Sequence, residues 1–139
     1  MPTLFDQAQR YVGTPYLVGE FDCADLAAQV QWQVFGRVVE LPTHRKRPGG
    51  ALGQAREIHR LQGTLADPVA TPADGCAVLM FEPGPTAPLW HVGTVFMRDG
   101  QVWVLHNSFG LGSAALQRLE DLQRFGMRLD GFYAWRAAA

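Results

Sequence analysis

The stretch Gly13-Thr-Pro-Tyr-Leu-Val-Gly-Glu-Phe-Asp-Cys-Ala-Asp-Leu26 joins a glycine-punctuated loop to the first turn of a predicted helix. Asp22 has the short oxygen-bearing side chain that caps a helix N-terminus, and Asp25 stands three residues later, where its carboxylate can complete a capping box. From Cys23 onwards, apolar side chains recur at the three- and four-residue intervals of one buried helical face. The pattern therefore predicts a helix that begins at Cys23 and stops at Gly36.

Cys23 leads the apolar stripe of this predicted helix. The positive end of a helix dipole favours thiolate over thiol, so a cysteine in the first turn is expected to have a lowered pKa and to act as a nucleophile. The alternative is a cysteine that only fills space in the core, which is the commoner use of a cysteine on an apolar helical face. Residues elsewhere in the chain must decide between the two.

The composition indicates a single ordinary globular domain spanning residues 1–139. The chain is 47% hydrophobic and 18% charged, and its formal net charge of -1 gives no general attraction to nucleic acid or to an anionic membrane. No apolar run approaches the roughly 18 residues of a membrane-spanning helix, and the N-terminal residues 1–6 lack a basic segment followed by an apolar one. We therefore expect synthesis in the cytoplasm without a signal peptide, and neither nucleic acid nor a membrane as a partner.

The two cysteines, Cys23 and Cys76, lie far apart in the sequence. Two cysteines do not form a disulfide framework for a chain of this size, so we expect free thiols, although the spacing leaves a Cys23–Cys76 bridge open. Cys76 begins a continuous apolar run of strand length and is expected to be a core residue.

The remaining patterns predict a mixed α+β protein. A capping box at Thr3 and Asp6 predicts an N-terminal helix, and two more amphipathic segments follow later in the chain. These three helices are predicted at 3–12, 51–61 and 115–125. Apolar and β-rich runs predict strands at 76–81, 91–97, 101–106 and 129–135. The segment Leu41–Gly50 is a loop rich in proline and glycine with a short basic cluster at His44–Arg47.

Asp99-Gly100 separates two of these strands and predicts a tight β-hairpin. If these two residues form the whole loop, Phe96 pairs with Trp103. His91 and His106 then point to the same face of the sheet as diagonal neighbours, about 7–8 Å apart at the backbone. A three-residue loop would reverse this parity and separate the two histidines.

A first-turn cysteine and two histidines on one sheet face provide the groups of a cysteine hydrolase. Cys23 would attack a carbonyl carbon, His91 would accept the thiol proton and return it to the leaving amine, and His106 would orient His91. The backbone N–H of Cys23 would stabilise the oxyanion. Asn107 is the competing orienter, but strand alternation points its side chain to the opposite face. This chemistry needs no cofactor and no metal ion.

The same residues resemble the NlpC-type cell-wall peptidases, a family of compact papain-like cysteine enzymes. The resemblance rests on Gly13-Thr-Pro-Tyr16 ahead of Phe21-Asp22-Cys23, on Pro72-Ala-Asp-Gly75 before a strand, and on His91-Val-Gly93 followed by Val104-Leu-His106. It spans most of the chain. With Leu41-Pro42 and Gly131-Phe-Tyr-Ala-Trp135 added, the pattern is similar to the single-domain members associated with phage tails.

The resemblance implies a compact α+β fold of the papain-like type, in which N-terminal helices, the nucleophile helix among them, pack on a central antiparallel sheet. It implies hydrolysis of an amide in peptidoglycan stem peptides, commonly between D-glutamate and a diamino acid, by a Cys23–His91–His106 triad. It assigns Tyr16 and Asp22 to the pocket for the free amino end of the stem peptide. It also implies association with other phage-tail or particle proteins, and delivery to the cell wall by a route such as a virion tail, lysis or a secretion machine.

One departure from the family pattern concerns the residues after the nucleophile. Family members commonly have Asp-Cys-Ser-Gly where this chain has Asp22-Cys23-Ala24-Asp25. The nucleophile is retained, but the neighbouring subsite differs, and this leaves the preferred bond open.

Other functions are also open on the sequence. Cys23, His91 and His106, with a carboxylate such as Asp22, have the chemistry of a zinc site, although they lack the close ligand spacing of C-x-x-C or H-x-x-x-H. A phage-tail component could instead keep the fold and use only its surface for assembly, without catalysis. The same cysteine and histidines could also serve acyl transfer or act on another amide.

Overall fold

The computed structural model describes residues 1–40, 65–86 and 88–136. Within these ranges the chain is a mixed α+β protein with three helices and a six-stranded antiparallel sheet. The helices are α1 (Leu4–Gln9), α2 (Cys23–Phe35) and α3 (Leu119–Arg124). The strands are β1 (Ala66–Val69), β2 (Ala77–Glu82), β3 (Leu89–Arg98), β4 (Gln101–Ser108), β5 (Ser113–Arg118) and β6 (Arg128–Trp135). None of the helices in these ranges combines the length and apolarity needed to cross a membrane.

The two N-terminal helices begin with the predicted capping boxes. In α2 the Asp22 carboxylate accepts hydrogen bonds from backbone N–H groups of the first turn, and the Asp25 carboxylate accepts one from the Asp22 N–H. The helix ends at Gly36, whose φ of 67° is a left-handed conformation that glycine adopts without steric cost. Thr3 and Asp6 cap α1 in the same way. This first helix is shorter than predicted, because its last residue is Gln9 rather than residue 12.

The strands follow the order β1-β6-β2-β3-β4-β5 across the sheet. β3 and β4 form the hairpin predicted from Asp99-Gly100, and Phe96 lies opposite Trp103 as the even-length loop requires. Both turn residues have positive φ, 52° for Asp99 and 75° for Gly100, which is typical of a type I′ turn. The hairpin therefore has the two-residue loop and the register that the prediction of a shared face for His91 and His106 required.

The helices cover the two faces of the sheet. One face packs against α1 and α2, with a buried core of Phe5, Ala8, Leu26, Val30, Phe96, Leu105 and Ala114. The other face packs against α3, with a core of Val78, Met80, Val95, Val104, Leu119 and Leu122. Residues of β2 contribute to both faces, as a continuous apolar run predicts. A third cluster seats the start of α2 on β2 and β3 and contains Cys23, Ala24, Ala27, Ala77, Leu79 and Val92.

The sheet opens between β3 and β4 at the end of the hairpin farthest from its turn. The two strands pair from the turn as far as Thr94 and Leu105. Beyond that point β3 continues to Leu89 in its ladder with β2, and β4 continues to Ser108 in its ladder with β5. The strand ends that carry the two histidines are thus held by different neighbours, and no described backbone ladder joins them there.

Two further predictions differ from the structure. The helix predicted over 115–125 is wrong in its first part, because residues 113–118 form β5 and α3 begins only at Leu119. Leu116, Leu119 and Leu122 have helical spacing, but Leu116 packs on the α1 and α2 side whereas the other two pack on the opposite side. The pairing of β5 with β4 overrides the local helical pattern.

The edge strand β1 was not predicted, and the predicted loop 41–50 and helix 51–61 lie outside the described residues.

Gly93 is buried just beyond Thr94, the last residue of β3 that pairs with β4, and a side chain at this position is expected to affect stability. A methyl group there would lie 2.4 Å from Val104 Cγ1 and 3.1 Å from the Leu105 carbonyl oxygen. We expect Gly93→Ala to lower the free energy of unfolding by about 1–3 kcal/mol, the usual cost of overpacking a core. Urea denaturation measures the effect. Gly131→Ala is the matched control, because its methyl group would meet the Tyr133 ring at 3.5 Å, and equal losses in both variants would contradict the steric explanation.

Candidate active site

A cavity of about 240 Å³ lies where β3 and β4 separate. Its walls come from the loop before α2, the first residue of α2, the strand ends and the loop after β4. Residues that line it include Tyr16, Cys23, Glu82, Trp90, His91 and His106. The cavity therefore brings together the cysteine and both histidines that the sequence singles out.

The capping box of α2 leaves the Cys23 backbone N–H available. Asp22 Oδ1 accepts from the N–H groups of Ala24 at 3.0 Å and Asp25 at 3.1 Å, and Asp25 Oδ2 accepts from the Asp22 N–H at 2.9 Å. No described residue accepts a hydrogen bond from the N–H of Cys23. This donor therefore lies next to the thiol at the positive end of a helix of 13 residues, where an oxyanion would be stabilised.

The loop before Cys23 is attached to the sheet through its backbone. The Gly13 N–H donates to the Ala114 carbonyl oxygen at 2.9 Å, and the Tyr16 N–H donates to the Gly112 carbonyl oxygen at 2.9 Å. Asn107 Nδ2 adds a bond of 3.3 Å to the carbonyl oxygen of Phe21. Asn107 thus faces the loop rather than the histidine pair, as strand alternation predicts, and it helps to hold the loop before Cys23.

His91 and His106 are in direct contact. His91 Nε2 is 2.7 Å from His106 Nδ1, and the two rings meet nearly at right angles. On its other side, His106 Nε2 is 2.8 Å from Gln117 Oε1. His106 is only 3% exposed, so its ring is held on both sides within the protein. His91 has its second ring nitrogen, Nδ1, left for other contacts.

The Cys23 thiol is protonated in this environment. Burial, together with the negative charge of Asp22, raises its pKa to about 12, although hydrogen bonds from the backbone of Val92 and Ala24 act in the opposite direction. The prediction of a lowered pKa is therefore wrong. Cys23 is only 5% exposed, and the cost of burying a thiolate exceeds the stabilisation that the helix N-terminus provides.

Both imidazole rings are neutral near pH 7. Burial and the adjacent His106 lower the pKa of His91 to about 3. Burial also lowers the pKa of His106, although the hydrogen bond with Gln117 acts in the opposite direction. A neutral thiol and a neutral imidazole therefore share the cavity, rather than a thiolate and an imidazolium. A reaction at this site would require the proton to move during nucleophilic attack.

Of the two predicted binding residues, Tyr16 lines the cavity and Asp22 does not. Tyr16 lines the cavity, and its ring packs edge-on against Phe109 with 5.5 Å between the ring centroids. Asp22 is 1% exposed, caps α2 and is not among the cavity-lining residues. Ala24 and Asp25, the two departures from the family pattern, are likewise outside the lining: one is packed in the core and the other serves the helix cap.

Gln117 and Glu82 are parts of the site that the sequence prediction missed. Gln117 was hidden by the prediction of a helix over 115–125, since strand parity identifies it as a neighbour of His106 only once 113–118 is recognised as a strand. Glu82 ends β2 and is one of the residues that line the cavity. Its position at the end of an apolar run was visible in the sequence, but its neighbours were not.

The described residues provide no set of ligands for the alternative function, a zinc site. In them, no three histidine, cysteine or carboxylate side chains are arranged to hold a metal ion. His91 Nε2 and His106 Nδ1 form a hydrogen bond with each other at 2.7 Å, so these two nitrogens are already engaged. Comparisons with protein-family models, with curated proteins and with solved structures find no match for this chain.

The raised pKa of Cys23 predicts a distinctive pH dependence of alkylation. In a Cys76→Ala background, iodoacetamide should label Cys23 slowly at neutral pH, and the rate should rise about tenfold per pH unit over roughly pH 6–9, because only the thiolate reacts. Mass spectrometry of quenched samples measures the rate, and circular dichroism at each pH checks that the fold is retained. A rate that is high and constant across this range would show a preformed thiolate instead.

Proposed function

We propose that this protein is a cysteine hydrolase that cleaves an amide bond in the stem peptides of bacterial peptidoglycan. The observation that carries the proposal is the convergence of Cys23 and the hydrogen-bonded pair of His91 and His106 on one cavity. A buried thiol at a helix start is common as core packing. A thiol that shares a cavity with two linked imidazoles has a base and an orienting group beside it, which core packing does not require.

The neutral resting state favours a general-base mechanism. As Cys23 Sγ attacks the substrate carbonyl carbon, the thiol proton passes to His91 Nδ1, the ring nitrogen that is not bonded to His106. His91 becomes an imidazolium, and its Nε2–H bond to His106 keeps the ring in place. The oxyanion forms next to the free N–H of Cys23.

Collapse of the tetrahedral intermediate breaks the carbon–nitrogen bond. The leaving amine takes its proton from His91 Nδ1, and the acyl group remains on Cys23 as a thioester. A water molecule then attacks the thioester carbonyl while His91 accepts one of its protons. His91 returns this proton to the departing Cys23 sulfur, which releases a carboxylic acid and restores the neutral pair.

The substrate class rests on two supports. One is the resemblance of the residues around Cys23 and His91 to the NlpC-type peptidases, from which the papain-like arrangement and the D-glutamyl to diamino acid bond also follow as proposals. The other is the cavity, whose described lining residues include the acidic Glu82 and neither lysine nor arginine. A cavity with this charge favours a ligand with an ammonium group, and stem peptides carry free amino groups. Delivery to the wall by a phage tail belongs to the same proposal.

Purified sacculi provide the test of this function. The protein is incubated with sacculi whose stem peptides contain either diaminopimelate or lysine, and the soluble fragments are identified by mass. We expect release of fragments with a new amino terminus, and a loss of release by roughly 10³-fold or more in Cys23→Ala, because the nucleophile is removed.

Cys76→Ala is the matched control, since it removes the other cysteine and should leave release unchanged. Release that persists in Cys23→Ala would defeat the mechanism. If no wall type releases fragments with the wild-type protein, the result would favour a non-catalytic particle component over a hydrolase.

A further inference from the structure

Gln117 lies on β5 beside the two histidines. In the ladder between β4 and β5, His106 is opposite Ala115 and Val104 is opposite Gln117, so Gln117 is the diagonal neighbour of His106 on the same face. Its Oε1 is 2.8 Å from His106 Nε2, and His106 Nδ1 is 2.7 Å from His91 Nε2. Side chains from β3, β4 and β5 thus form one continuous chain of hydrogen bonds that ends at the cavity.

The acceptor at the far end of this chain determines where each proton lies. An amide oxygen accepts hydrogen bonds and cannot donate them, so the proton in the last bond belongs to His106 Nε2. A neutral imidazole carries one N–H proton, so His106 Nδ1 has none and accepts from His91 Nε2. His91 is neutral as well, and its Nδ1 is therefore left without a proton.

We propose that Gln117 is a positioning residue that fixes the direction of these hydrogen bonds and thereby keeps His91 Nδ1 ready to accept the Cys23 proton. The inference rests on the proposed function, because it gives His91 the role of the base. Gln117 is not among the cavity-lining residues and acts through His106. Its effect is on which nitrogen of each ring carries the proton, and the tautomer of a catalytic histidine governs whether it can act as a base.

The opposite orientation of the amide would disable the site. If the Gln117 nitrogen faced His106, His106 Nε2 would have to accept, and the His106 proton would move to Nδ1. His106 would then donate to His91 Nε2, and His91 would carry its own proton on Nδ1. Such a ring presents an N–H to Cys23 and cannot take the thiol proton. The orientation of the Gln117 amide therefore determines whether His91 Nδ1 can act as a base.

A neutral acceptor also suits the charge state of the site. A carboxylate in place of the amide would stabilise an imidazolium on His106 or His91 and raise their pKa values. The amide orients both rings without adding a charge. Among the described residues, the other ionisable side chains that line the same cavity are Tyr16 before α2, Cys23 on α2 and Glu82 on β2, and Asp22 and Asp25 stand at the start of α2.

Nuclear magnetic resonance of ¹⁵N-labelled protein tests the proton positions without any substrate. Two-bond ¹H–¹⁵N correlations distinguish the two neutral imidazole tautomers, and the four histidines are assigned by substituting each in turn. Near pH 7 we expect both His91 and His106 to carry their proton on Nε2. A proton on Nδ1 of His91 in the wild-type protein would overturn the proposal.

Two substitutions of Gln117 separate its hydrogen bond from its bulk. Gln117→Met has a similar size but no acceptor, so His91 should populate both tautomers, and kcat on a soluble stem peptide should fall roughly 10- to 100-fold with little change in KM. Gln117→Glu keeps an acceptor, so the wild-type tautomers should persist. Its negative charge should raise the imidazole pKa values, and the acid limb of the pH–kcat profile should move to higher pH, because His91 must be neutral to act as a base.

The outcomes distinguish this inference from the proposed function. Unchanged tautomers in Gln117→Met, or the same loss of kcat in both variants with an unmoved acid limb, would reduce Gln117 to a packing role and overturn the inference. If the tautomers change as expected in Gln117→Met while the wild-type protein cleaves no stem peptide, Gln117 directs the protons as inferred and the hydrolase function is what fails.

Discussion

The two-residue turn at Asp99 and Gly100 is the constraint on which the candidate site depends. Side chains alternate along a strand, so a turn with one residue more would place His91 and His106 on opposite faces of the sheet. Positive φ at both turn residues closes the hairpin with the even-length loop and sets the register of β3 against β4. The two strands then separate at the histidines, and the start of α2 brings Cys23 to the cavity that results.

Burial, rather than the helix dipole, controls the charge state of the site. The same enclosure that raises the pKa of Cys23 lowers the pKa of His91, so both groups are neutral and no buried ion pair has to be stabilised at rest. Charge would appear only as the proton moves during attack, next to the available N–H of Cys23. The acceptor beside His106 is the uncharged amide of Gln117, which is consistent with a histidine pair that is neutral at rest.

Features that depend on neighbours in sequence were predictable. The capping box of Asp22 and Asp25 joins residues three apart, and the start of α2 follows from it. The proximity of the two histidines required only the length of one turn and the alternation of side chains in two strands. The strand β5 was missed because Leu116 has helical spacing with Leu119 and Leu122 of the following helix. Its pairing with β4 could not be predicted from the residues of β5 alone. Gln117 was lost with it, since only the β4–β5 register makes it a neighbour of His106.

The sequence by itself determined where the helix that starts at Cys23 begins and ends, the register of the central hairpin and the shared face of His91 and His106, because caps, tight turns and strand alternation act over a few residues. Only the tertiary structure decided that Asp22 is a buried helix cap outside the cavity lining, that Gln117 completes the hydrogen-bonded chain, and that the Cys23 thiol is protonated. These features depend on which segments pack together and how much water they exclude, and both are set by contacts between residues distant in the chain.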